Sequence, residues 1–133
     1  MVILVDANVF CAFANLDDVH HERAKTVLKD AFSKDYGKVV TTDYVFDETV
    51  TVAIRRTTKK QAIELGKFIL QSEIFVAHID SFAFDKAWKY FKKLDGFSFT
   101  DCSLLAFMDT FKINKLATFD KAFKNVSWVE VID

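Results

Sequence analysis

Apolar and β-branched residues come along this chain in short unbroken runs, and four of the runs end on an aspartate. Val2–Val5 (VILV) leads to Asp6 and Lys38–Thr42 (KVVTT) to Asp43. Ile74–Ile79 (IFVAHI) leads to Asp80 and Lys115–Phe119 (KLATF) to Asp120. Runs of this length without polar alternation predict strands buried on both faces, the habit of parallel sheets. A fifth run, Ser127–Ile132 (SWVEVI), predicts a last strand at a sheet edge, in either direction.

Between the runs the apolar period lengthens. Ala24, Val27, Leu28, Ala31 and Phe32 recur at helical spacing, as do Ala62, Ile63, Leu65, Phe68 and Ile69. Further helices are predicted from Asp43 to Arg56, from Ser81 to Leu94, and from Thr100 to Lys112. The adjacent His20 and His21 read as the start of the first long helix, and Thr57 or Thr58 as the cap of the Ala62 helix. Strands alternating with helices predict an α/β fold with a mainly parallel central sheet of four to five strands flanked by helices. In such a sheet the carboxyl ends of the strands share one edge, where ligands bind.

The aspartates have a plain explanation, because Asp is a favoured helix N-cap. It serves best for Asp43 and Asp80. Asp6 precedes a short, uncharged helix start, ANVFCAFAN, where a cap explains less. Asp120 either caps the short KAFK turn or keeps its carboxylate free. Ser98-Phe99-Thr100-Asp101 fits a capping box, with Asp101 at the third helical position. One oxygen of Asp101 can serve the backbone while the other faces a cation. Asp109, two turns on, is either an outlying acid or a partner for Lys112.

Composition narrows the class. The 133 residues, 51% hydrophobic with three Gly and no Pro, predict a single domain over 1–133 with no flexible linker. The net charge of −1 excludes a global pull on nucleic acid, so such a partner needs a local patch. Cys11 and Cys102 lack framework spacing and read as small buried hydrophobes of a reduced cytoplasm. Asp6 stops the apolar start too early for a signal peptide, and no run approaches a membrane span. The expectation is a cytoplasmic protein with no membrane partner.

Crowded carboxylates repel one another and recruit a counter-ion. Oxygen donors alone suit Mg²⁺ or Mn²⁺, whereas the cysteines and histidines show no zinc spacing.

Four stretches together, VILVDANVF, DYVFDETVTVAIRR, FSFTDCSLLAFM and LATFDKAF, resemble the PIN domain, and in particular ribonuclease toxins of VapC type. The resemblance spans essentially the whole chain and implies a three-layer α/β/α fold. It also implies Mg²⁺- or Mn²⁺-dependent hydrolysis of RNA phosphodiester bonds. By the same resemblance the catalytic and metal-holding acids are Asp6, Glu48, Asp101 and Asp120, with Asn8 and Thr100 in support. Only the resemblance selects Glu48 over its neighbour Asp47, and by the residues alone Glu48 would be a solvated helix position. Implied partners are an RNA substrate, a second copy in a homodimer, and a small antitoxin laid across the cleft. The apolar stretches TVTVAI and GKFILQSEIF offer a surface for either protein contact.

Removing four ionised acids from the net −1 leaves +3, a better match to RNA than the total suggests. Arg55, Arg56 and Lys121 are the candidate phosphate contacts, with Lys59, Lys60 and Lys124 behind them. Two other readings remain. A PIN-like module could bind RNA or a partner without cutting. An aspartyl phosphotransferase or phosphatase would also use Asp6, but Asn8 stands where that chemistry needs a second Asp.

Overall fold

The computed structural model describes residues 1–133. In chain order the elements are β1 (Val2–Val5), α1 (Ala7–Ala14), α2 (His21–Phe32), β2 (Lys38–Thr42), α3 (Asp43–Arg56) and α4 (Lys59–Gln71). There follow β3 (Phe75–Ala77), α5 (Ser81–Lys93), α6 (Phe99–Phe111), β4 (Lys115–Ala117), a 3-10 turn (Lys121–Asn125) and β5 (Glu130–Ile132). The five strands make one sheet in the order β3-β2-β1-β4-β5, every neighbouring pair parallel. The last strand, open in direction from sequence, is therefore parallel to β4.

This order places β1 at the switch point. The chain runs outward from β1 through β2 to β3, then returns across the sheet to β4 on the other side of β1. Right-handed crossovers put α1–α4 on one face and α5 and α6 on the other. The helix contacts segregate accordingly, α1 with α2 and α3, α3 with α4, α5 with α6. The main helix contact across that division is α3 with α6. Ile3, Leu4 and Val5 are fully buried between the two layers, which is why VILV carries no polar alternation. Phe10 and Ile69 fill the first layer, and Leu104, Leu105 and Met108 the second. No helix is long and apolar enough to cross a membrane.

Five of the six α-helices start on a side chain that accepts an otherwise unpaired backbone N–H, α2 being the exception. Thr58 accepts from Gln61 N, Asp80 from Ala83 N, and Asp120 from Ala122 N. Asp43 differs from the expectation, because the cap of α3 is Thr42, whose hydroxyl accepts from Val45 N. Asp43 is the first helical residue and reaches sideways. Its carboxylate accepts Ile79 N at 3.0 Å and meets His78 Nδ1 at 3.2 Å. That capture also shortens the third strand, since Ile79 N is committed to a side chain instead of a ladder.

Candidate active site

At the carboxyl edge of β1 and β4, a cleft of about 470 Å³ is lined by Asp6, Glu48, Asp101 and Asp120. These acids come from four segments: the end of β1, the second turn of α3, the first turn of α6 and the loop after β4. Sequence separates them by up to 114 residues; topology brings them to one edge. Asp47, the rival of Glu48, is exposed, while Glu48 is half-buried and faces the cleft wall.

Asp6 is the most enclosed, with 3% of its surface exposed. Its Oδ1 accepts Ala7 N at 2.7 Å, which makes it the N-cap of α1. Its Oδ2 accepts the Thr118 hydroxyl at 2.9 Å and, more weakly, Asn8 Nδ2 at 3.4 Å. Thr118 Oγ1 in turn accepts Asn8 Nδ2 at 3.0 Å and Asp120 N at 3.1 Å. A hydroxyl has one proton to give and two lone pairs to fill, and here all three are used. Asn8 Oδ1 completes the network by accepting Phe119 N at 3.0 Å. The backbone at Asp120 is thus tied to the backbone at Asp6 through two side chains.

Asp101 forms the expected capping box. Its Oδ2 accepts Ser98 N at 2.9 Å, and Ser98 Oγ accepts Asp101 N at 3.1 Å. The second carboxylate oxygen has no protein donor and is left for the cleft. Thr100, expected in support, contacts none of the acids through its hydroxyl; its carbonyl accepts Ser103 Oγ. Asp109 lies outside the site, paired with Lys86 at 2.6 Å and bonded by the Tyr90 hydroxyl. Of the candidate phosphate contacts, Arg56 lines the cleft, whereas Arg55 and Lys121 are exposed outside its lining. Lys124 is paired with Asp133.

The electrostatics are those of an uncompensated acidic pocket. None of the chain's ion pairs includes any of the four acids. Burial pushes the Asp6 carboxyl up to about 7, against the Thr118 hydrogen bond, and the charges of Asp101 and Glu48 add to the rise. Asp101 is raised by burial and then by Asp120; Glu48 by burial and then by Asp101 and Asp47. Asp6, Glu48 and Asp101 thus resist ionisation partly because other acids stand near them.

No three acidic, histidine or cysteine side chains close into a direct cage for an ion. The four acids offer oxygen donors alone, spread around an open cleft whose lining also includes His20 and Cys11. That suits a hard cation that keeps several waters and takes only a few carboxylates, the habit of Mg²⁺, and it does not suit zinc.

Sequence reasoning passed over Thr118, which holds Asp6, and His20, whose ring stacks on Phe119 at 4.5 Å beside the cleft. Thr118 left one trace, a hydroxyl at the end of a strand run two residues before Asp120. The stacking of His20 left none.

Comparison with known proteins gives a consistent result. The profile of the PIN domain matches residues 3–129. The 23S rRNA-specific endonuclease VapC20 of Mycobacterium tuberculosis is 27% identical over 132 residues, 98% of each chain. A VapC ribonuclease of Archaeoglobus fulgidus is 27% identical over 126 residues, 92% of this chain and 80% of that one. The crystal structure of VapC20, described as a sarcin-ricin loop cleaving toxin, superposes with a TM-score of 0.86, covering 97% of this chain and 98% of that one. The structure of VapBC-1 from nontypeable Haemophilus influenzae, 13% identical, shares the fold with a TM-score of 0.71, covering 100% and 98%.

Proposed function

The chain belongs to the PIN domain family, and from that premise we propose that it is a divalent-metal-dependent endoribonuclease, the toxin of a toxin–antitoxin pair. The observation that carries the reading is the meeting of Asp6, Glu48, Asp101 and Asp120 in one cleft with no cationic side chain paired to them. The ribonuclease and toxin descriptions of its VapC relatives support the same class of substrate.

In this reading Asp6, Asp101, Asp120 and Glu48 hold Mg²⁺ or Mn²⁺ between them. When bound, such a cation would acidify a water and neutralise the charge that develops on the phosphate oxygens during in-line displacement. The protein's part is placement. Thr118 and Ala7 N fix both oxygens of Asp6, so its carboxylate does not swing. Asn8 holds the Phe119 backbone and, through Thr118, the start of the Asp120 turn. Asp101 is pinned by its own capping box and offers its free oxygen. Arg56, at the rim, meets the phosphate backbone as it enters, a contact that positions RNA without reading it. Arg55 and Lys121 stand further out and attract the strand by charge alone. Thr100 acts through the backbone of the first turn that carries Asp101.

A homodimer and an antitoxin contact belong to the same proposal. A groove of about 490 Å³ between α3 and α4, lined by Phe46, Val50, Ile54, Ile63 and Leu70 with Lys59 and Lys67 beside them, offers the apolar surface.

The test is RNA cleavage titrated with Mg²⁺ or Mn²⁺, wild type beside Asp6→Asn. Wild type cuts in proportion to metal occupancy, and the variant falls by at least about a hundredfold, beyond what loss of a supporting residue costs. Equal cleavage by both proteins sinks the proposal.

A further inference from the structure

Helix α5 is amphipathic twice over. Its inner stripe, Ala83, Ala87 and Tyr90, packs toward α6. Its outer stripe, Phe84, Trp88 and Phe91, stands 46%, 49% and 42% exposed at i, i+4 and i+7 spacing. Core packing does not explain aromatic rings on the solvent side of a helix, and contiguous exposed apolar surface marks a binding site.

The patch runs to the cleft. Phe99 packs against Phe84 at 5.3 Å, Phe91 at 6.0 Å and Tyr44 at 6.5 Å between ring centroids. Phe99 lies between Ser98 and Asp101 in the chain, and both of those line the cleft. Tyr44 is one turn before Glu48 on α3, on the same helix face. The aromatic rings therefore start at the rim of the acidic pocket and lead away along α5.

The charges name the occupant. Lys89, Lys92 and Lys93 on α5 are exposed and take part in no ion pair, and Lys92 Nζ sits 5.6 Å from the centre of the Trp88 ring. Asp85 is the one acid on that helix. A second copy docked face to face would set the same lysines against one another across a two-fold axis. A partner with flat apolar faces on a polyanionic backbone meets both halves of the surface, rings by stacking and lysines by charge.

We propose that α5 is a stacking platform for single-stranded RNA, on which bases flanking the scissile bond lie against Phe84, Trp88 and Phe91 while Lys89 and Lys92 meet their phosphates. The proposal rests on the ribonuclease reading, but its test does not need cleavage. Trp88 and Trp128 are the two tryptophans, so a Trp128→Phe, Asp6→Asn protein reports Trp88 emission on uncut RNA. A single-stranded RNA of about a dozen nucleotides quenches that emission saturably, and a duplex of equal length does not. Read by the fluorescence anisotropy of end-labelled RNA, since these variants lose the reporter ring, Trp88→Ala weakens binding about tenfold, within the range for losing one base stack, and Trp88→Phe restores most of it. Lys89→Gln with Lys92→Gln flattens the log–log salt dependence by roughly 1.4. Unchanged emission, equal quenching by duplex, or undiminished affinity in Trp88→Ala overturns the platform. So does a dimer in which Trp88 is buried and which Trp88→Ala dissociates. Loss of cleavage activity in wild type would instead strike the ribonuclease reading and leave the quenching result standing.

Discussion

The single proton of the Thr118 hydroxyl decides how the cleft is held. It goes to Asp6 Oδ2 at 2.9 Å, leaving both lone pairs for Asn8 Nδ2 and Asp120 N. Thr118→Val removes all three bonds while keeping the shape of a β-branched residue. The expected outcome is a loss of about 10- to 100-fold in activity or metal affinity, the usual cost of losing a ligand's supporting bond. Measured kcat and a metal titration check it, and wild-type values in both would show the network to be ornamental. Asp6 itself makes a pH prediction. Its folded pKa is pushed up to about 7 from an ordinary value of 3.8, so between those limits the folded state keeps a proton that the unfolded state has lost. Stability of the metal-free protein therefore falls as pH rises from about 4 to about 7, by at most about 4 kcal/mol from this group. Asp109 works in the opposite sense. Lys86 holds its carboxyl below the usual range, and its contribution is lost as pH falls. The clean readout is thus the difference between wild type and Asp6→Asn in denaturant melts across that range, with the variant's curve the flatter. Parallel curves would mean that Asp6 is ionised without penalty. Three of the four acids were visible in the sequence because they stand at the ends of strongly patterned elements. Glu48 was not separable from Asp47 by pattern, since only the folded helix turns one to solvent and the other to the cleft. Thr118 acts on a partner 112 residues away, a distance no local pattern encodes.

At the scale of elements, capping side chains set the boundaries. Asp80 is an ordinary N-cap, its side chain accepting from Ala83 N at 2.9 Å away from the cleft. Asp80→Ala costs about 1 kcal/mol of stability and leaves metal response unchanged. Chemical denaturation beside a metal titration separates it from the acids of the cleft, and a changed metal response would place Asp80 among them. Strand and helix identities were readable from periodicity; two boundaries were not. Hydrophobicity continues through Ile79, but the chain leaves the third strand at Ala77, where the Asp43 carboxylate takes over as partner for the following backbone. The fourth strand likewise ends at Ala117, yet Thr118 N still bonds to Ile132 O before the chain turns toward Asp120. Side chains that compete for backbone donors end strands early, and composition does not reveal which donor they reach.

For the whole molecule, one topological fact governs function. The chain starts in the middle of its sheet, builds one side, crosses over and builds the other, so the ends of β1 and β4 and the starts of α3 and α6 share a rim. A parallel sheet with this switch point has its binding crevice there whatever residues fill it. The filling is specific: oxygen donors, no paired cation, and carboxyls held above their usual pKa by burial and by one another. The fold class followed from alternating runs and helices, and the PIN resemblance from motifs in order. The aromatic face of α5 did not, because a Phe or Trp looks the same in sequence whether it faces the core or the solvent.

Binding of Mn²⁺, followed by loss of its free-ion paramagnetic resonance signal, reaches the matter most directly. Four separate segments converging on one ion predict saturable uptake by wild type that weakens in Asp6→Asn, Glu48→Gln, Asp101→Asn and Asp120→Asn alike. Uptake left intact by all four substitutions would contradict the account.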